Sequence, residues 1–213
     1  KKNELFYILG NPPFIGHHMQ NEEQKKDLHF VLKGIQAAGV MDYVTSWYYK
    51  AAEFIQNTKI KCAFVSTNSI TQGEQVGILW SYLIDKFKIK IHFAHRTFKW
   101  SNEAKGNAAV YCVIIGFADS DTNKKLIYEY EDIKGEPHEI KVKNINPYLI
   151  DAKDILIENR NMPICNVPKM MYGSKPTDGG HFILTDEEKI EFLNKEPKAE
   201  KFIKPFISAK EFI

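Results

Sequence analysis

Four short apolar runs, residues 6–9, 62–66, 89–94 and 109–117, alternate with longer amphipathic stretches, and this alternation constrains the fold more than any other feature. Runs of that length suit buried strands and the stretches between them suit helices, so an α/β layered domain is expected over residues 5–118. Within residues 41–56, Val44, Trp47, Tyr48, Ala51, Phe54 and Ile55 recur at the spacing of one helical face. Residues 74–86 repeat the pattern with Val76, Leu79, Trp80, Leu83 and Ile84, entered through Ser69, Thr71 and Gly73, which suit turns and caps. The last two runs follow one another with no helical pattern between them. A parallel crossover normally needs a helix, so this pair is expected to be antiparallel, joined by a long loop carrying Arg96 to Asn107.

Residues 126–130 and 139–142 alternate in polarity on either side of Gly135-Glu136-Pro137, the pattern of a peripheral hairpin within 119–150. From about residue 151 prolines and glycines punctuate the chain, and only residues 185–193 read as a clear helix. The division expected is therefore 1–150 as one domain and 151–213 as a linker with the beginning of a second, mixed α+β domain.

With 213 residues, 44% hydrophobic and 13% aromatic, the chain can bury a core and is not a disordered tail. Lys+Arg at 29 against Asp+Glu at 27 leaves +2, so contact with a nucleic acid must come from a local patch. The longest apolar stretch, residues 108–118, has about half the roughly 20 residues a membrane-spanning helix requires, and no membrane association is expected. No signal peptide opens the sequence, and Cys62, Cys112 and Cys165 lack paired spacing, which points to reduced thiols and a cytoplasmic location. His92 and His95 stand three apart without a nearby Cys or acid, and the adjacent His17-His18 lacks ligand spacing, so no metal is expected. The adjacent pair reads as solvated loop histidines or as phosphate contacts.

Chemistry concentrates in Gly10-Asn11-Pro12-Pro13-Phe14, directly after the first strand. The carboxyl ends of strands are where open α/β sheets bind ligands. Two prolines stiffen the turn and remove two N–H groups, leaving carbonyl acceptors, and Asn11 adds an amide oxygen. An aromatic amine has two hydrogens to donate and a lone pair delocalised into its ring. Acceptors at the Asn11 side chain and the Pro12 carbonyl would hold both hydrogens, draw the nitrogen towards tetrahedral geometry and free the lone pair for attack on an activated methyl group. Phe14 would offer a flat face to a base that has left its duplex. The other reading of the tetrapeptide is an ordinary turn, since Asn and Pro are turn residues everywhere.

Asn11-Pro12-Pro13-Phe14 is similar to the motif IV signature of class I S-adenosylmethionine-dependent amino-methyltransferases. Together with Met41-Asp42-Tyr43-Val44, the run from Phe64 to Gln75 and the run from His92 to Ala104, it resembles the methyltransferase region of MmeI-type (type IIL) restriction-modification enzymes. That resemblance covers residues 5–118 strongly and later residues more weakly. It implies the C-terminal half of a Rossmann-like class I methyltransferase sheet, double-stranded DNA as partner, and transfer of a methyl group from S-adenosylmethionine to N6 of a flipped adenine. By family position Phe98 or Trp100, with Phe98 favoured, would sandwich the base against Phe14. Asp42 and Tyr43 would border the cofactor pocket, although an acid there equally suits a helix start. Arg96, Lys99 and Lys105 would clamp phosphate or simply be solvated. Ser66-Thr67-Asn68 would line the site or form a turn.

One family feature is missing: no glycine-rich loop with a downstream acid stands in these residues to hold the cofactor. Motifs X, I, II and III are expected before Lys1, in a longer protein of which this is a piece, inactive by itself. Pro163, Met170-Met171-Tyr172-Gly173 and Asp178-Gly179-Gly180 resemble the entrance to a target recognition domain. The competing readings are a protein glutamine N5-methyltransferase, a cytosine-N4 methyltransferase, and a non-catalytic DNA-binding or specificity module.

Overall fold

A computed structural model describes residues 4–100, 110–160, 162–168 and 177–207. Lys105 and Met170-Met171-Tyr172-Gly173 lie outside these residues. The chain forms two compact units, Lys1–Arg160 and Asn161–Ile213. The first holds strands β1 (Tyr7–Gly10), β2 (Lys61–Thr67), β3 (Lys90–Trp100), β4 (Val110–Ala118), β5 (Lys125–Glu129) and β6 (His138–Val142), with helices α1 (Glu22–Val31), α2 (Thr45–Phe54) and α3 (Gly73–Ser81). The second unit holds helix α4 (Asp186–Lys195), where Thr185 and Glu188 form a reciprocal capping box.

The strands make one sheet in the order β1-β2-β4-β3-β5-β6. β1 and β2 are parallel, β4 runs antiparallel to both β2 and β3, and β5 is parallel to β3. The expected antiparallel last pair is present. The 119–150 hairpin is also present, but it is not separate from the layer, because β5 pairs with β3 and extends the sheet by two strands.

One face of the sheet carries the core. Cys62 and Phe64 of β2, Ile91 and Ala94 of β3, Val113, Ile115 and Phe117 of β4, and Ile127 of β5 are buried with residues from all three helices. Tyr48 of α2 stacks on Phe117 at 5.5 Å and shares a 3.0 Å hydrogen bond with the Ser66 hydroxyl, so its polar end is satisfied inside the core. Trp80 is fully buried and donates its indole N–H to the Ile70 carbonyl at 2.8 Å. Cys62 and Cys112 are buried, and burial pushes their pKa values up to about 12 and about 11, which marks both as unreactive thiols.

Three local expectations are revised. α1 was not anticipated, because its mean hydropathy is low, yet Asn21 and Gln24 form a capping box at its start and Leu28 is buried. The apolar face of α2 is shifted: Val44, Tyr48, Ala51 and Ile55 are buried with Tyr49 and Ala52, while Phe54 is 42% exposed and Trp47 half-buried. Residues 96–100, expected in a loop, are the end of β3, which pairs with β4 out to Trp100. A bulge there places Arg96 and Thr97 opposite the single residue Val113, between the His95↔Ile114 and Phe98↔Cys112 pairs. That extra residue interrupts the polar-apolar alternation and hides the strand from a reading by period.

Candidate active site at the carboxyl ends of the strands

Because β1, β2 and β3 all run the same way, their carboxyl ends share one end of the sheet, where β4 begins. Asn11, the Ser66-Thr67-Asn68 run and Phe98 to Trp100 therefore come to the same edge from three strands. Asn11 is exposed, Pro12 buried, Pro13 exposed and Phe14 half-buried. Beneath them the chain packs closely, since a Cβ on Gly10 would sit 3.2 Å from the Phe64 ring. Asn11 and Phe98 stand on strands three intervals apart, roughly 14 Å at about 4.8 Å per interval, a gap that side chains and a base can span.

The chain after Phe14 is pinned by the turn before α2. The two carboxylate oxygens of the buried Asp42 accept from the His17 backbone N–H at 3.1 Å and the Ser69 hydroxyl at 2.5 Å. Asp42 N–H donates to the Gln75 side-chain oxygen at 2.9 Å, and its carbonyl accepts from the Thr45 hydroxyl at 2.7 Å. Tyr43 N–H donates to the Ile15 carbonyl at 2.9 Å, and the Gln20 amide donates to the Met41 carbonyl at 2.9 Å. Asp42 thus ties three segments together: the loop after Asn-Pro-Pro-Phe, the start of α2, and the turn after β2. Its side chain does not cap α2, which starts without a side-chain cap. Thr67 joins the Asp42 network through Ser69, the two hydroxyls lying 2.8 Å apart, while the Asn68 carbonyl accepts from Thr71 and the Ser66 hydroxyl bonds Tyr48 in the core.

Tyr43 points elsewhere. Its hydroxyl donates to Asp27 at 3.0 Å, and its ring meets Trp47 edge-on at 5.0 Å along a cavity of about 640 Å³ walled by Ile8, Phe30, Val31, Trp47, Phe54 and Phe64. Burial, then Asp27, raises the Tyr43 pKa. The Asp42 oxygens and the Tyr43 hydroxyl are thus engaged by protein groups, and Tyr43 lines this cavity.

At the far side of the edge, Phe98 is half-buried and Trp100 is 41% exposed. Phe98 stacks on Tyr130 with ring centres 5.4 Å apart and planes 26° apart, and its ring lies 6.2 Å from Trp100. His95 stacks on Tyr128 at 4.3 Å and hydrogen-bonds the Tyr130 hydroxyl through Nδ1 at 2.8 Å. Burial pushes the His95 pKa down. His92 Nε2 lies 2.6 Å from the Ser120 carbonyl, and both histidines line a second cavity. Among the described residues no group of three His, Cys, Asp or Glu is placed to hold a metal ion, and no helix is long and apolar enough to cross a membrane. Arg96 forms an ion pair with Glu129, both about 40% exposed (40% and 37%), and the Lys99 backbone N–H bonds the Ile133 carbonyl at 2.8 Å.

Sequence reasoning missed Tyr128, Tyr130 and the tying role of Asp42. The alternation of Tyr128 and Tyr130 was visible, but their partners depend on the parallel pairing of β5 with β3, which no local pattern encodes.

A mixed sheet with an antiparallel final pair and Asn-Pro-Pro-Phe at the carboxyl end of a parallel strand is the C-terminal half of a Rossmann-like class I methyltransferase. Residues 1–129 match the MmeI DNA-methyltransferase domain and residues 151–213 the MmeI target recognition domain, and the chain belongs to the MmeI family. It is 43% identical over 212 residues to DNA methyltransferase A of Bacillus subtilis (strain 168), covering 99% of this chain and 23% of that protein. The solved structure of the type IIL restriction-modification enzyme MmeI in complex with DNA superposes with a TM-score of 0.89 at 54% identity, over 100% of this chain and 28% of that one. The chain thus spans about a quarter of the length of these relatives.

Proposed function

We propose that this chain is the amine-positioning part of a DNA adenine-N6 methyltransferase within a restriction-modification enzyme acting on double-stranded DNA in the cytoplasm. The observation that carries the reading is the exposed Asn11 on a proline-stiffened corner at the carboxyl end of β1, with the following loop tied down through Asp42. In this reading the Asn11 amide oxygen and the Pro12 carbonyl accept the two N6 hydrogens of a flipped adenine, which localises the nitrogen lone pair. Phe14 covers one face of the base and Phe98 the other, with Trp100 beside it, and the rings offset part of the few kcal/mol spent on unstacking. Pro13 keeps the corner rigid.

The methyl donor is taken to be S-adenosylmethionine, with Asp42 and Tyr43 the candidates in this chain to border its pocket. Lys99 and Lys105 are the candidates for phosphate contact, and Arg96 is a weaker one because Glu129 already neutralises it. The match of residues 151–213 to a target recognition domain favours DNA over a glutamine side chain as substrate. The test is a nucleoside digest of duplex DNA incubated with the whole protein and labelled donor. Label is expected in N6-methyladenine; label in N4-methylcytosine, or only in a peptide substrate, would overturn the reading.

A further inference from the structure

We propose that Tyr130 is a positioning residue that holds Phe98 as the outer plate of the base pocket, an inference that rests on the adenine-stacking role of Phe98. Tyr130 is the residue after β5, and β5 lies on the side of β3 away from β1. By strand order Tyr130 approaches the Phe98 ring from the side away from Asn11, an arrangement that would leave the face towards Asn11 to a base. Had Tyr130 stood on β4, it would have filled the pocket instead.

Four further contacts fix this support. The Tyr130 hydroxyl is held by His95 Nδ1 at 2.8 Å, and His95 is itself stacked on Tyr128 with planes only 10° apart. Burial pushes the His95 pKa down, while burial and then Glu136 raise that of Tyr130, so near neutral pH this is a bond between two uncharged groups. Next to these rings, the Arg96–Glu129 ion pair joins the β3 bulge to the last residue of β5. The Lys99 N–H bond to the Ile133 carbonyl then carries the turn after Tyr130 across the end of β3. The bulge at Arg96 and Thr97 matters most, because it puts Phe98 on the same face as His95; without the extra residue Phe98 would face the core side. Sheet order, bulge and hydrogen bond thus all bear on the orientation of one ring.

The experiment compares Phe98→Ala, Tyr130→Leu, Tyr130→Phe and wild type in the whole protein. It reads methyl-transfer kcat, KM for donor and for DNA, and the fluorescence of 2-aminopurine at the target base, which stacking quenches. Tyr130→Leu keeps apolar volume but removes the stack, and is expected to lower kcat roughly three- to tenfold with donor KM unchanged and with brighter 2-aminopurine in the complex. Tyr130→Phe keeps the stack and loses only the hydroxyl, and is expected to recover most of both signals. If Phe98→Ala is impaired while Tyr130→Leu matches wild type, the positioning role of Tyr130 is wrong and the base-plate reading stands. If Phe98→Ala itself matches wild type in kcat and fluorescence, the base-plate reading fails and the inference falls with it.

Discussion

The two sides of the site edge are built from different interactions. At the β1 corner, hydrogen bonds converge on Asp42 and leave the Asn11 amide exposed above them. At the end of β3, rings from two strands lean on one another around Phe98, with a single hydrogen bond among them. The difference matches the tasks proposed for each side. A carbonyl that must meet an N–H hydrogen works only within a narrow range of distance and angle, so its mount needs directional bonds. A stacking plate tolerates sliding in its plane, so shape and support behind it are enough.

That contrast can be broken by experiment. Beyond Asn11 itself, the largest effect is expected from Asp42→Ala. It strands the His17 N–H and leaves the Ser69 hydroxyl only Thr67 as partner, which should cost about 1–3 kcal/mol in thermal or denaturant unfolding and lower methyl transfer as well. Asp42→Asn keeps one carbonyl acceptor and should lose less; equal losses would show that the tie is not made by hydrogen bonds. Gly116→Ala tests the aromatic side, since the new Cβ would lie 2.0 Å from a ring carbon of Phe93, which neighbours His95. Displacing that ring should cost about 1–3 kcal/mol in a melt, and an unchanged midpoint would mean the aromatic row repacks freely.

The smallest effect is expected from Arg96→Ala. A half-exposed pair with Glu129 contributes about 0.2–1 kcal/mol, and the salt dependence of DNA binding should stay as it is. A slope shallower by about one would instead identify Arg96 as a phosphate contact.

Much of this was legible in the sequence. The apolar runs located β1 to β4, and the missing helical pattern between the last two gave their antiparallel pairing. Asn11, Pro12, Pro13 and Phe14 stood out because their chemistry is local: a turn, its carbonyls and one amide. What stayed hidden was non-local or broken in period. The bulge before Phe98 disguised a strand as a loop, and the parallel registration of β5 on β3 that brings Tyr130 to Phe98 joins segments about 30 residues apart. Asp42 looked like a helix cap because it precedes α2, yet its oxygens reach segments 25 and 27 residues away.

The most direct test of the central claim is the single-turnover rate of methyl transfer to duplex DNA by Asn11→Ala in the whole protein, at saturating DNA and donor. The rate is expected to fall roughly 10²- to 10³-fold, with thermal stability and DNA affinity close to wild type, because an exposed amide supports the transition state and not the fold. A rate within about twofold of wild type would contradict the role given to Asn11.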